Sequence, residues 1–208
     1  IRWTVDCNAK YGVIQNFFGV GSNPVIYENL LIAMVGGSPP EDKRLAPGQL
    51  DRVSPNGTGI VAFDKRTGKV VYRGVDELAS YAALTTATID GAPWCFAFCR
   101  GGLVGFNPGN GKVGFRYPWR ARMLESVNAS TPGSVGNQVF IPEPSGPGSS
   151  LLEIDATATD GYRVVWQDQL RVRRKAFQAH WATPIYHDGY LYGCSGRNSP
   201  DAQLRCLD

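Results

Sequence analysis

The residues best suited to chemistry stand in two short basic segments, in which arginines lie beside aromatic rings. The segments are Arg116-Tyr-Pro-Trp-Arg120-Ala-Arg122 and Arg171-Val-Arg173-Arg174-Lys175-Ala-Phe177. A guanidinium group is planar and carries a fork of donors, so it suits a carboxylate or a phosphate group. The two segments predict one positive, aromatic-rimmed patch, whose candidate ligand-binding residues are Arg120, Arg122, Arg173 and Arg174. Ion pairing with acidic residues of neighbouring elements is the alternative, and it is the default expectation for such segments.

Three other polar residues are candidates for ligand binding: Glu125, Asn128 and His180. Carboxylate and amide oxygens are the hard ligands that Ca²⁺ takes, but Ca²⁺ needs about six to eight of them. Glu125 and Asn128 are only three residues apart, and the chain contains two histidines, whereas structural zinc sites gather four close ligands. We therefore predict no metal site and no catalytic residue. For His180, a place in the protein core is the alternative to ligand binding.

These residues separate copies of a recurring sequence unit. Its clearest copy is Gly59-Ile-Val-Ala-Phe-Asp64-Lys-Arg-Thr-Gly68-Lys-Val-Val-Tyr72. The same pattern returns at 102–115, more loosely at 151–166, and as a first half at 204–208. Each copy predicts a β-hairpin, because an apolar strand ends at Asp or Asn, a glycine closes the turn, and the second strand carries an aromatic residue.

A second motif precedes each hairpin, so that one unit consists of four antiparallel strands, here named A to D. Four-stranded units repeated along a chain predict an all-β fold, a β-propeller whose blades surround a central channel. A stacked solenoid is the competing geometry. We predict one propeller segment over residues 1–208, with about four blades of a seven- or eight-bladed ring. Its predicted parts are a strand D at 1–6 and blades at about 13–76, 83–119, 127–168 and 180–208.

The pattern Ala62-x-Asp64-x-x-Thr67-Gly68-Lys69 resembles the repeat of pyrroloquinoline-quinone-type (PQQ-like) propellers. That repeat occurs in quinoprotein dehydrogenases and in the outer-membrane-assembly lipoprotein BamB. The resemblance implies that an aromatic residue docks each blade on the next, and the candidate docking residues are Trp3, Tyr72, Phe115 and Trp166. The segments at 16–22, 125–132 and 180–184 look most similar to secreted bacterial members of planctomycete type. The resemblance thus implies a protein of the bacterial periplasm or the extracellular space.

The same resemblance implies two functions from different classes. The first is a non-catalytic binding or assembly scaffold of an exported bacterial protein, whose partner is another protein or the remaining blades of the same propeller. The alternative is a quinoprotein-type oxidoreductase that depends on PQQ and calcium, with its other site residues outside this segment. The sequence lacks the adjacent Cys-Cys pair and a clear Asp base in a matching motif of those enzymes. We therefore favour the scaffold, and we expect neither PQQ nor calcium as a cofactor.

Composition narrows the range of partners. The net charge of the 208 residues is only +3, so no general attraction to nucleic acid follows. No apolar stretch approaches the ~18 residues that a membrane-spanning helix needs. The five cysteines are odd in number and widely spaced, and we predict buried free thiols. Length varies most in the B–C loops, so the face that they share with the D–A linkers is the predicted binding face.

Overall fold

A computed structural model describes residues 1–14, 18–19, 21–45, 49–123, 126–171 and 173–208. These residues form four antiparallel sheets, in which each strand pairs with the next one along the chain. One α-helix, α1 (Cys7–Tyr11), precedes the first sheet, and two 3-10 helices, Pro40–Arg44 and Leu50–Arg52, lie within its long B–C loop. None of the described residues belongs to a helix long and apolar enough to cross a membrane. The predicted all-β fold is confirmed.

The strands are numbered β1 to β15 in chain order. Sheet 1 contains β1 (Val25–Tyr27), β2 (Leu30–Met34), β3 (Ile60–Asp64) and β4 (Val70–Gly74). Sheet 2 contains β5 (Thr85–Ile89), β6 (Ala92–Phe98), β7 (Gly102–Phe106) and β8 (Val113–Pro118). Sheet 3 contains β9 (Gly133–Val135), β10 (Gln138–Glu143), β11 (Gly148–Ile154) and β12 (Tyr162–Gln167). Sheet 4 has three strands, β13 (Ile185–His187), β14 (Tyr190–Ser195) and β15 (Gln203–Leu207).

The C–D turn of sheet 1 shows how the repeat determines its own hairpin. The carboxylate of Asp64 accepts hydrogen bonds from the backbone N–H groups of Arg66 and Thr67 and from the Thr67 hydroxyl, at 2.8 to 3.1 Å. Gly68 then adopts a φ of 72°, a left-handed conformation that residues with a Cβ rarely accept. The Asp and the Gly of the repeat are therefore both needed to reverse the chain.

Consecutive sheets pack face to face through separate hydrophobic clusters. Sheets 1 and 2 bury a cluster that includes Ile32, Ile60, Val104 and Phe106. Sheets 2 and 3 bury a cluster that includes Phe96, Phe98, Ile141 and Leu152. Sheets 3 and 4 meet around Phe140 and Phe177, with Leu191 and Leu207 packed against them. The core is therefore a series of layers, each of which joins one sheet to the next.

The N-terminal segment does not form the predicted outer strand. Residues 1–6 belong to no strand, so the prediction of a strand D at 1–6 is wrong. The side chain of Asp6 instead accepts a hydrogen bond from the backbone N–H of Ala9 at 3.0 Å, which caps α1 and turns the chain into a helix. Beyond the cap, Tyr11 is buried with Val61 and Phe63 against sheet 1. The segment thus covers sheet 1 and does not extend a neighbouring sheet.

Two of the candidate docking residues lie on glycines of C–D turns. The Trp3 ring is so close to Gly68 that a Cβ on this glycine would stand 2.7 Å from it. Tyr72 lies on Gly111 in the same way, with a corresponding distance of 2.6 Å. The Tyr72 hydroxyl also donates a hydrogen bond to the carbonyl of Pro108 at 2.7 Å. Each ring therefore contacts the turn of the sheet that follows it in sequence.

Phe115 and Trp166 depart from this arrangement. The Phe115 ring lies on Gly105, its cross-strand partner, where a Cβ would stand 2.1 Å from it, and only the Cβ of Phe115 lies beside Gly161 in the C–D turn of sheet 3. Trp166 pairs with Leu151, and its side chain is 38% exposed. The β-bulge of sheet 3 lies two residues farther from the turn than the bulges of sheets 1 and 2. This bulge places Trp166 outside the register position that Tyr72 and Phe115 share.

The cysteines are free thiols in three environments, and Cys7 in α1 is only partly buried. Cys95 and Cys99 are buried between sheets, and burial raises the pKa of Cys95 to about 12. Cys194 and Cys206 are exposed on sheet 4. The prediction of buried thiols is therefore wrong for these two, because no layer covers that face of sheet 4 among the described residues.

Candidate binding cleft between sheets 3 and 4

The linker between sheets 3 and 4 is closed into a loop by a buried aspartate. Asp168 follows β12 and accepts hydrogen bonds from the backbone N–H groups of Ser149 and Ala176, both at 2.8 Å. Gly148 lies so close that a Cβ there would stand 2.4 Å from the carboxylate. The glycine thus lets the carboxylate reach β11. The described residues 169–171 and 173–175 therefore belong to a loop whose two ends are held at a fixed point.

Two basic side chains complete the base of this loop. The Lys175 ammonium is buried and donates a hydrogen bond to the carbonyl of Gln169 across the loop. The Arg205 guanidinium, on β15, donates to the carbonyls of Lys175 and Ala176 at 2.8 and 2.7 Å. A carbonyl oxygen satisfies a donor without neutralising its charge. Both side chains therefore hold the loop in place and still contribute a positive charge.

The B–C turn of sheet 3 depends on a buried carboxylate. Glu143 accepts hydrogen bonds from the Ser126 hydroxyl at 2.9 Å and from the backbone N–H groups of Ser145 and Gly146 at 2.8 Å. Burial raises the pKa of Glu143, and these hydrogen bonds only partly counteract the effect. Because its acceptors are used inside the turn, Glu143 shapes the turn and does not face a ligand.

Gln178 connects this turn to the B–C loop of sheet 4. Its side-chain Nε2 donates a hydrogen bond to the carbonyl of Pro144 at 2.9 Å. Its backbone N–H donates to the Ser195 hydroxyl at 3.0 Å, and its carbonyl accepts from the N–H of Gly196 at 2.8 Å. One residue thus joins the two turns and limits how far they can separate.

The linker and the two turns enclose a cleft of about 750 Å³. The cations that line it are Arg171, Arg173, Arg174, Lys175, Arg197 and Arg205, and the acid that lines it is Asp201. Six cations and one acid give the cleft a charge of +5, which exceeds the +3 of the whole chain and leaves −2 for the rest. The positive charge of this protein is therefore concentrated in one place.

The first basic linker has a different environment. Arg120 and the buried Arg100 contact the same carboxylate oxygen of Asp51, at 2.9 and 2.8 Å. Arg116 lies 3.5 Å from Glu77. Burial raises the pKa of Asp51, but the hydrogen bonds and charges of the two arginines outweigh it and hold the pKa below its usual value. Arg116 and Arg120 thus form the ion pairs that were the alternative to ligand binding.

The two basic linkers therefore do not form the single patch that the sequence predicts. Arg122 is exposed and lines a second cleft of about 650 Å³, together with Arg120. The described residues that line this cleft differ from those around Arg173 and Arg174. The physical reason is that the long B–C loop of sheet 1 reaches the first linker through Asp51 and holds it there.

Glu125 lies outside the described residues, whereas Asn128 has a clear structural role. The buried Asn128 donates hydrogen bonds through Nδ2 to the carbonyls of Cys99 and Trp119, at 2.7 and 3.3 Å. Its Oδ1 has no hydrogen-bond partner among the described residues. In that part of the chain, no three His, Cys, Asp or Glu side chains gather closely enough to hold a metal ion. The expectations about PQQ and calcium stay predictions.

His180 is buried next to an aromatic cluster that the sequence analysis missed. Its ring meets Trp181 edge to face at 4.8 Å, and Trp181 contacts Tyr81 and Phe18 at 5.7 and 5.3 Å between ring centroids. Burial lowers the pKa of His180, and the positive charge of Arg197 lowers it further. The cluster was missed because its members come from three linkers that are far apart in the sequence.

Sequence reasoning found Arg173 and Arg174 but missed the residues that hold them in place. Asp168 gives no signal, since a single Asp after a strand is common. Arg197 and Arg205, by contrast, did give a usable signal in the sequence. B–C loops and D–A linkers share a face, so basic residues near the fourth B–C loop belong with the basic linker that precedes them.

Among solved structures, the chain is similar to the crystal structure of BamB from Moraxella catarrhalis, with 14% sequence identity and a TM-score of 0.50. The similarity covers 90% of this chain and 46% of that chain, so this chain spans about half its length. No protein-family model matches the sequence, and no curated protein matches it. At so low an identity the similarity shows the fold alone. The four sheets are part of a β-propeller, as predicted.

Proposed function

We propose that this chain is a non-catalytic β-propeller scaffold, which binds a protein partner on the face formed by its B–C loops and inter-sheet linkers. The observation that carries the proposal is the cleft between sheets 3 and 4, which is open, strongly positive and built on a closed loop. Binding residues concentrate on loops that a rigid scaffold positions. The propeller supplies such a scaffold, and the cleft supplies the loops.

We also propose that further sheets of the same propeller cover the outer face of sheet 4. Ile185, Tyr192 and Leu204 are exposed on this face by 69%, 41% and 80%. The residues that match Tyr192 and Leu204 in sheet 1, Ile32 and Ile60, are fully buried by sheet 2. A sheet with a large apolar face needs a covering layer. The 46% coverage of the BamB chain is consistent with additional sheets.

We propose a location outside the cytoplasm, in the periplasm or the extracellular space of a bacterium. The resemblance of the segments at 125–132 and 180–184 to secreted, planctomycete-type PQQ-like propellers supports this proposal. Fractionation of the source cells, followed by detection of the protein with an antibody, tests it. Recovery of the protein with cytoplasmic markers would contradict it.

Site-specific photo-crosslinking in the native cell tests the scaffold proposal. A photoreactive phenylalanine analogue replaces Leu170 or Gln203, which line the cleft. Matched variants carry it at Asp90 or Lys112, which are exposed in turns at the opposite edge of the sheets. We expect one protein adduct from both cleft positions and none from the turns. Equal labelling from the two edges, or no protein adduct from the cleft, would contradict the proposal.

The oxidoreductase alternative has a separate test. We expect residues 1–208 to bind neither PQQ nor calcium more tightly than roughly micromolar, about −8 kcal/mol. Isothermal titration of the quinone with and without calcium measures this affinity. A saturable submicromolar signal that disappears in Glu125→Ala would favour the oxidoreductase.

A further inference from the structure

We propose that the cleft between sheets 3 and 4 binds an acidic peptide segment, a run of aspartate and glutamate side chains that a protein partner presents. This inference rests on the proposed scaffold function, because it assigns the chemistry of the partner on the same face. Three features of the cleft carry it: its unneutralised charge, its fixed base, and its size and lining.

The first feature is a group of arginines that form no ion pair with an acidic side chain in the part of the chain that the structure describes. Among the described residues, Arg171, Arg173, Arg174 and Arg197 take part in no ion pair. Like charges gathered in one cleft repel each other and produce a strong local potential. An anionic ligand relieves this repulsion, and carboxylates suit guanidinium groups because two parallel hydrogen bonds can form.

The effect of Arg197 on His180 gives a second sign of this potential. Burial is the main cause of the lowered pKa of His180, and the charge of Arg197 adds to it. A positive field that reaches a buried imidazole is not fully screened by solvent.

The second feature is that the base of the cleft is fixed before any ligand arrives. Asp168 holds both ends of the loop through Ser149 and Ala176, and Arg205 binds two of its carbonyls. A ligand therefore does not have to order the backbone at these anchor points, which lowers the entropic cost of binding. The exposed guanidinium groups project from a loop that is already closed.

The third feature is the match between the cleft and an extended ligand. Its volume of about 750 Å³ is much larger than one phosphate or sulfate ion needs. Its cations come from two elements, the linker with Arg173 and Arg174 and sheet 4 with Arg197 and Arg205. Leu170, exposed by 66%, adds an apolar contact that a peptide can use and a polyphosphate cannot.

Nucleic acid fits these observations less well than a peptide. Nucleic-acid binding depends on an extended positive surface that follows a phosphate backbone. Outside the cleft the chain has a net charge of −2. The positive region is therefore local, which suits a short acidic segment.

Fluorescence anisotropy with a fluorescein-labelled hexaglutamate peptide tests the inference. We expect saturable binding at low ionic strength that weakens as salt is added, since exposed charges are screened. In Arg173→Gln/Arg174→Gln and in Arg197→Gln, the affinity should fall at least about tenfold. The matched control is Arg66→Gln/Lys69→Gln, which removes two exposed charges from a C–D turn. It should bind within about twofold of the wild type.

The possible outcomes separate this inference from its rivals. Equal weakening of the cleft and control variants would show non-specific attraction and overturn it. Binding of oligothymidylate or tripolyphosphate that is tighter than that of hexaglutamate and depends on Arg173 and Arg174 would overturn the peptide assignment.

If hexaglutamate fails to bind while crosslinks still form from Leu170 and Gln203, this inference is wrong and the scaffold proposal stands. If it binds through the arginines but no crosslinks form, the cleft chemistry is right and the scaffold proposal fails. Circular dichroism melts of every variant confirm that the compared proteins are folded.

Discussion

The arginines of this protein differ in what accepts their hydrogen bonds, and this decides their role. Arg100 and Arg120 donate to the carboxylate of Asp51, which offsets one of their two charges and ties a long loop to a linker. Arg205 donates to backbone carbonyls, so it organises a loop and keeps its charge. Arg174 is exposed and forms no ion pair with any described residue. Only the last kind is available to a ligand.

The positive electrostatic field of the cleft should be measurable through the pKa of His180. Replacing Arg197 with Gln removes the charge that lowers the pKa of His180, so this pKa should rise, although burial will still hold it below the ordinary value. Titration of the imidazole proton signals by NMR measures the change, with His187 as an internal reference. An unchanged His180 titration would mean that Arg197 does not act on this ring.

The buried carboxyl of Glu143 should make stability depend on pH. Its pKa is raised above the ordinary value, so its favourable contribution is complete below about pH 4.5 and is lost as the pH rises through the folded-state pKa. In Glu143→Gln, this loss of unfolding free energy with rising pH should be absent. Urea unfolding at intervals from pH 4 to 8 measures it, with Glu153→Gln in the same sheet as the matched control. Parallel curves for wild type and Glu143→Gln would contradict the prediction.

At the scale of strands and turns, the docking candidates Phe115 and Trp166 differ in register and in surroundings. Phe115 is 3% exposed and contacts Trp94, Phe96 and Tyr162 at 5.4 to 6.3 Å between ring centroids. Trp166 carries the larger side chain but is 38% exposed. The side chain that is smaller therefore contributes more to packing between sheets.

Alanine substitutions should separate these two positions. Phe115→Ala leaves a cavity in the cluster between sheets 2 and 3 and should destabilise the fold by about 3–5 kcal/mol. Trp166→Ala removes a partly exposed ring and should cost no more than about 2 kcal/mol. The free energy of unfolding from urea melts, compared at equal m-values, measures both. A larger loss for Trp166→Ala would show that this ring is buried in solution.

The repeat explains why the sheets could be predicted from the sequence and why the ends of elements could not. Asp64, Gly68 and their counterparts specify turns through local hydrogen bonds and backbone freedom, so they can be read without a structure. The strand predicted at 1–6 is wrong because Asp6 caps α1, and a helix cap is a local signal as strong as that of the repeat. Trp166 was misplaced because a β-bulge changes register without leaving a mark in the sequence. The cleft could not be predicted from the sequence, because Asp168 and Arg205 are distant in sequence and only the fold brings them together.

At the scale of the whole molecule, the sheets form layers, and the outer face of sheet 4 is uncovered among the described residues. In the inner junctions large apolar side chains such as Phe96 and Phe98 are completely buried. On sheet 4, by contrast, Tyr190, Tyr192 and Leu204 are exposed. This asymmetry along the series of sheets is what the proposed additional sheets would remove.

Thiol labelling should report whether that face is covered. In a protein limited to residues 1–208, Cys194 and Cys206 should react quickly with a disulfide reagent, since both are exposed. Cys95 and Cys99 should react only on unfolding, because both are completely buried. In a polypeptide that includes the proposed further sheets, Cys194 and Cys206 should become protected. Equal reactivity in both forms would contradict the proposed covering layer.

The contact between each docking ring and the sheet after it has a direction, and this has a consequence for synthesis on the ribosome. Trp3 and Tyr72 each precede the glycine on which the ring lies, Gly68 and Gly111. Phe115 precedes Tyr162 of the next sheet, whose ring it contacts at 5.4 Å between centroids. A newly made ring therefore lacks its contact partner until the next hairpin has left the exit tunnel, which takes seconds at about 5–20 residues per second. During that interval the growing chain exposes an aromatic ring that is buried against its partner only later. A chaperone that recognises exposed rings would meet this chain once per repeat, in the order in which the sheets are made.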